Sequence, residues 1–166
     1  LNQIHPNKDV DGLNAENIGR FTQQVAQLSP CASMAIAAIV EAHQLDLRGL
    51  NATIVGSSIL TGQPVGQYLL QQGATPTICH IDTRNLAEHI RTADIVVSAI
   101  GKTGVIESNW LKPGVIIFDI GTNRLSDGGT TGDIDFPTAK DTASLITPCP
   151  GGIGPLTVAC LLANTL

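Results

Sequence analysis

Short apolar runs of strand-like composition recur along residues 52–149, and helix-like stretches separate most of them. ATIVG (52–56) is β-rich and ends in glycine, and GQPVGQYLLQQG (62–73) reads as a helix closed by Gly73. TPTICHI (75–81) predicts a second strand and TRNLAEHIRTA (83–93) a second helix. DIVVSAIG (94–101) and GVIIFDIG (114–121) predict two more strands, with a loop or short helix over 102–113. PTAKDTA (137–143) predicts a helix, SLITPC (144–149) a fifth strand and GPLTVACLLANTL (154–166) a last helix. Ahead of this rhythm, residues 14–26 predict a short helix capped by Asn14, with Asn17 at its third position. CASMAIAAIVEAHQL (31–45) predicts a helix apolar nearly all round, hence covered on more than one face. Strands alternating with helices imply βαβ units and a parallel sheet. Right-handed crossovers then give an α/β, Rossmann-like, doubly wound fold with helices on both faces.

Composition agrees with this. The chain has 166 residues, 43% hydrophobic and only 3% aromatic, so its core is aliphatic, as in a covered parallel sheet. The net charge of -5 and the lack of a basic stripe argue against nucleic acid as a partner. The four cysteines, Cys31, Cys79, Cys149 and Cys160, include no C-x-x-C pair and read as buried thiols, so no metal site is expected. No apolar run reaches the roughly 18 residues of a membrane span. The start, LNQIHPNKDVDG, is polar and not a signal peptide, so no membrane partner and a cytoplasmic setting (or an organelle matrix) are expected. The chain begins at Leu1 rather than Met, as a fragment or processed piece would.

Candidate chemistry lies at the ends of the predicted strands, where doubly wound folds place ligands. In VGSSILTGQPVGQ (55–67), Gly56, Ser58 and Gly62 suit a phosphate-binding turn, with Pro64 in the first turn of the helix. The two glycines are too far apart for G-x-G-x-x-G, so an ordinary βα loop stays open. Asp82, after the second strand, suits the ribose hydroxyls of NAD or is a solvated loop carboxylate. TPCPGGIGPLT (147–157) concentrates proline and glycine just before the last helix. It is a tight turn shaped for backbone reasons, or a stiff loop that lets backbone approach a flat ring.

KDVDG (8–12), SPC (29–31), IVGSS (54–58), TGQP (61–64), ATPTICH (74–80), ADIVVSAIGK (93–102), WLKPGVIIFDIGTN (110–123), GDIDF (132–136) and ITPCPGGIGPLTVACLLANTL (146–166) occur in a distinctive order and spacing. Together they resemble the bifunctional methylenetetrahydrofolate dehydrogenase/methenyltetrahydrofolate cyclohydrolase family along nearly the whole chain. The resemblance implies a segment, 1–30, that carries the DVDG motif between domains, and an NAD(P)-binding domain over 31–166. Its last helix, 154–166, would pack toward an amino-terminal domain. The family oxidises methylenetetrahydrofolate with hydride transfer to NAD(P), then hydrolyses the methenyl product to formyltetrahydrofolate.

By the same resemblance, Asp11 matches the acidic residue that holds the pterin ring, and a carboxylate can accept two hydrogen bonds from an aminopyrimidine edge. Asp9 reads as a turn or cap residue. Pro150, Gly151, Gly152, Ile153, Gly154 and Pro155 match the loop lining the folate cleft. Gly56, Ser57, Ser58, Gly62, Pro64, His80, Ile81, Asp82, Ala99, Ile100, Gly101, Lys102, Gly121, Thr122 and Thr157 match the cofactor side. The general catalytic lysine belongs to the amino-terminal domain, and Lys102 does not replace it, so no catalytic residue is expected within this chain. Tetrahydrofolate derivatives, that domain and a second copy in a homodimer are the expected partners. The cofactor side departs from the family: Ser57 replaces an arginine, Ile81 a serine and Gln63 a lysine, while Asp82 adds an anion. A 2′-phosphate would lose a cation and meet a negative charge, so the expected cofactor is NADP or NAD, with NAD favoured. The same departures leave open a non-catalytic nucleotide-binding remnant. A nicotinamide dehydrogenase for another substrate is the third reading, opposed by the intact Pro-Gly-Gly-Ile-Gly-Pro stretch.

Overall fold

The structure is a computed structural model that describes residues Leu1–Leu166. Five parallel strands form the central sheet: β1 (Asn51–Val55), β2 (Thr75–Cys79), β3 (Ile95–Ser98), β4 (Ile116–Asp119) and β7 (Leu145–Ile146). Their spatial order is β2-β1-β3-β4-β7. Strand order therefore reverses between β1 and β3, which opens a crevice at their carboxyl ends.

Strand alternation divides the core in two. Ala52 and Ile54 of β1, Ile95 and Val97 of β3 and Phe118 of β4 face one way. They meet α2 (Cys31–Ala42), α3 (Gly62–Gln71) and the start of α6 (Ile153–Ala163), with Phe21 of α1 (Ala15–Thr22) in the same cluster. Val55, Val96 and Ile117 face the other way, against Ile90 of α4 (Leu86–Arg91) and Ala139 of α5 (Phe136–Ala139). Helices on both faces match the expected doubly wound fold. As expected too, α2 is covered on more than one side, since it packs on both α3 and α6.

Several boundaries differ from the pattern reading, each for a local reason. The predicted helix 14–26 stops at Thr22, because Gln24 adopts φ 61° and the Val25 amide returns to the Arg20 carbonyl. Asn14 caps it by accepting from the Glu16 amide. Asn17 instead donates backward, to the Pro6 carbonyl and to Asp9 Oδ2, both at 2.9 Å. Asp9 also accepts from the Asn14 amide at 2.6 Å and so acts as a cap residue. The predicted strand 75–81 ends at Cys79, where a turn joins the Thr83 amide to the His80 carbonyl and the His80 amide to the Thr83 hydroxyl. The following helix begins only at Leu86, after Asn85 adopts φ 54°. Gly73 closes α3 as expected, with φ 83° and the Ala74 amide bonded to the Leu69 carbonyl. Residues 102–113 hold one 3-10 turn, Ser108–Trp110, packed on α4. The sequence pattern missed an antiparallel hairpin, β5 (Asn123–Arg124) with β6 (Thr130–Thr131). Its strands are too short to show alternation.

Phe118 is fully buried in the larger cluster and is the largest of the wholly buried side chains. Phe118→Ala should cost about 3–5 kcal/mol in urea unfolding. A loss below about 1 kcal/mol would contradict this packing.

Candidate functional site

The carboxyl edge of the sheet gathers most of the expected site residues. Strand β1 ends at Gly56, which adopts φ 123° with its amide on the Cys79 carbonyl at 2.9 Å. A side chain at Gly56 would collide with the Ala99 carbonyl, and one at Gly62 with the Gly56 carbonyl. These two glycines thus let the first turn fold tightly against both the β3 loop and the start of α3. Gly66, which the sequence reading assigned no role, lies where a Cβ would stand 3.0 Å from Ile78 and 3.8 Å from Ile54. It lets α3 sit close on β1 and β2. The three glycines thus give a tight turn and close packing of the helix on the strands.

Thr61 precedes α3 and supplies no side-chain cap. The amides of Ser57, Ser58, Ile59 and Thr61 find no partner within the protein, whereas the Leu60 amide bonds Ser58 Oγ and the Gln63 amide the Ser58 carbonyl. Unpaired amides at the start of a ten-residue helix suit an anion. No lysine or arginine stands in the turn, and Gln63 spends its Nε2 on the Ser57 carbonyl. His80, Ile81 and Asp82 lie beyond β1 on the β2 side, where Ile81 is 98% exposed and the Asp82 amide bonds His80 Nδ1. Ala99, Ile100, Gly101 and the exposed Lys102 follow β3 on the opposite side of Gly56.

A cavity of about 210 Å³ opens at the ends of β4 and β7. It is lined by Asp119, Gly121, Thr122 and Thr130 on one side and by Pro148–Pro155 on the other. The Cys149–Pro150 peptide is cis and Gly151 has φ 99°. A Cβ at Gly152, the residue before α6, would collide with the Pro148 carbonyl. The Pro-Gly stretch is therefore both the tight turn and the cavity wall. Thr157 lies outside the cavity, with its hydroxyl donating to the Ile153 carbonyl at 3.0 Å.

Two buried carboxylates that the sequence reading left out hold this edge together. Asp119 accepts from the amides of Gly121, Asp133 and Ile134 at 2.9–3.1 Å. Burial pushes its carboxyl above the ordinary carboxylate range, against the pull of those amides. Asp133, 2% exposed, binds Ser98, Ile100 and Gly101 through Oδ2 and Asn123 through Oδ1. Neither has a signal in one sequence, because their side-chain partners lie 10 to 35 residues away and the rest are backbone amides.

Asp11 stands apart from that cavity. The DVDG segment is fastened to the far end of α6, where Asn164 Nδ2 donates to the carbonyls of Val10 at 2.7 Å and Ser29 at 3.1 Å. Gly12 has φ 69°, and a Cβ there would meet Ser29 and Pro30 backbone at 2.5–2.8 Å. Asp11 and the Pro-Gly loop are thus separated by the length of an eleven-residue helix, about 16 Å. The outward side of that helix is apolar: Val158 and Leu162 are 58% and 63% exposed. Burial, reinforced by Asp11, pushes the Cys31 thiol up to about 12.

The fold and edge define a dinucleotide-binding α/β domain. The profile described as "Tetrahydrofolate dehydrogenase/cyclohydrolase, NAD(P)-binding domain" matches residues 30–166, and the chain belongs to that family. Among solved structures it is similar to the bifunctional enzyme FolD, methylenetetrahydrofolate dehydrogenase/cyclohydrolase, of Campylobacter jejuni, at 39% identity and TM-score 0.95 over 99% of this chain. It is similar also to the Trypanosoma brucei enzyme, solved with NADP and an inhibitor, at 34% identity and TM-score 0.91 over 98% of this chain. The chain spans 58% of each of those two proteins. The NAD-dependent methylenetetrahydrofolate dehydrogenase of Saccharomyces cerevisiae shares the fold, at 20% identity and TM-score 0.78 over 98% of this chain and 62% of its own. No helix is long and apolar enough to cross a membrane.

A thiol raised in the folded state favours folding while it stays protonated. The stability Cys31 contributes is therefore complete below pH 9.0 and lost as pH rises toward about 12. Urea midpoints of the unaltered chain and Cys31→Ala should accordingly draw together between about pH 8 and pH 10.5. A constant difference would contradict the assigned environment.

Proposed function

We propose that this chain is the cofactor-binding half of a methylenetetrahydrofolate dehydrogenase/methenyltetrahydrofolate cyclohydrolase. The observation that carries the reading is the row of sites along one sheet edge. It runs from the His80–Asp82 turn through the unpaired amides of Ser57, Ser58, Ile59 and Thr61 to the Ala99–Lys102 loop and the cavity between Gly121 and the Pro148–Pro155 loop. An extended dinucleotide fits this row with adenosine at β2, pyrophosphate at the start of α3 and nicotinamide toward β4. When bound, the cofactor supplies hydride acceptance. The chain's own groups orient it and wall off one side of the folate.

The separation of Asp11 from the Pro-Gly loop suits an elongated substrate, and tetrahydrofolate joins a pterin to an aminobenzoyl-glutamate tail. The cavity is smaller than the usual pocket of roughly 300–1,000 Å³ and would hold part of such a ligand. On this reading the general catalytic lysine belongs to an amino-terminal domain that packs on residues 1–30 and the exposed apolar side of α6. The isolated chain then binds cofactor without turnover. The family resemblance supports a homodimer in the cytoplasm. The departures at Ser57, Gln63 and Ile81 support a second reading, a nucleotide-binding remnant without catalysis. In that case methylenetetrahydrofolate oxidation would be absent even with the amino-terminal domain supplied.

The turn has no cation to meet a 2′-phosphate, and Asp82 is exposed beside it. Calorimetric titration should give NAD at least about tenfold tighter binding than NADP, and Ser57→Arg with Asp82→Ser should narrow or reverse the gap. Tighter NADP binding by the unaltered chain would refute the assignment of NAD.

A further inference from the structure

Asp133 is the buried charge to which the proposed site gives no role. It is 2% exposed, yet every hydrogen-bonding neighbour of its carboxylate is a donor. Oδ2 accepts from the Ser98 hydroxyl at 2.9 Å and from the amides of Ile100 at 2.8 Å and Gly101 at 3.1 Å. Oδ1 accepts from Asn123 Nδ2 at 2.9 Å. No basic side chain pairs with it, so oriented dipoles alone compensate the charge. Three of its four bonds go to one loop, which leaves the sheet at the β3 side of the strand-order reversal. The fourth goes to the hairpin that borders the β4–β7 cavity.

We infer that Asp133 is a positioning residue that fixes the Ser98–Gly101 loop for the nicotinamide half of a bound dinucleotide. This rests on the cofactor reading above. The loop lies on the opposite side of β1 from the adenosine end, so its placement bears on one half of the ligand. With the Ile100 and Gly101 amides committed to Asp133, the donors left for pyrophosphate lie in the first turn, at Ser57, Ser58, Ile59 and Thr61. The loop is thus held as a wall beside the ring and takes no part in gripping phosphate.

Asparagine tests the charge at constant shape. In either orientation its amide nitrogen would face a donor, Asn123 on one side or Ser98, Ile100 and Gly101 on the other. Asp133→Asn should therefore release the loop. We expect binding of the preferred dinucleotide to weaken by about tenfold or more, with AMP affinity changed less than about threefold. Ser98→Ala, which deletes one donor, should show the same selective loss at smaller size. A dinucleotide affinity unchanged in Asp133→Asn would overturn the inference. So would equal losses for AMP and dinucleotide, the mark of a merely structural role. If Asp133→Asn fails to fold by circular dichroism, the same ratio measured on Ser98→Ala decides. Failure of the unaltered chain to bind any dinucleotide would instead overturn the cofactor reading itself, and that control separates the two.

Discussion

Asp119 and Asp133 bring two carboxylates into the protein interior at the point where the sheet meets its loops, and the rest of the edge is arranged around them. Such groups are costly to bury without donors. Here the donors come from the loops themselves: three backbone amides for Asp119, and two amides, a hydroxyl and a side-chain amide for Asp133. The fit is reciprocal. A Cβ at Gly121 would strike the Asp133 carboxylate, and one at Gly132 would strike that of Asp119. Each glycine therefore makes room for the other strand's acid. The Asp119 amide in turn donates to the Thr147 hydroxyl, which fixes where the Pro-Gly turn departs from β7.

This separates the protein into two regimes. Below the edge, aliphatic strands packed on both faces supply stability through burial. At the edge, glycines and acceptor carboxylates fix backbone positions through directional hydrogen bonds and close approaches, which non-directional apolar packing does not do. The unpaired amides at the start of α3 stand out because the neighbouring loop has its amides committed to Asp133. The free amide donors of the edge are thereby concentrated in one turn, at Ser57, Ser58, Ile59 and Thr61.

The doubly wound fold was legible because the central strands β1, β3 and β4 are short apolar runs buried on both faces, while β2, largely exposed, was marked by its β-rich composition between two helices. Gly56 and Gly62 marked the first turn in the sequence, whereas nothing in one sequence signals that Gly66, inside α3, approaches Ile78 and Ile54 closely. The Pro-Gly loop was found by composition, and the fold sets it across one cavity from Gly121 and Thr122. What sequence reasoning missed depends on contacts distant along the chain. Asp119 and Asp133 look like any strand-end acids until the fold sets Ser98 against Asp133. Asn17 was placed only by its position in the first turn of α1, and the return of Pro6 and Asp9 to that helix makes it a tether. Ile81 read as the last residue of a strand, yet the His80–Thr83 turn puts it in solvent.

The central claim is that a dinucleotide lies along this one sheet edge. Backbone amide shifts of the isotopically labelled chain, followed during addition of NAD, test it most directly. The account predicts the largest changes at Ser57–Gly62, with further changes at His80–Asp82, Gly101–Lys102 and Gly121–Thr122. Changes confined to other surfaces, or none at saturating cofactor, would contradict it.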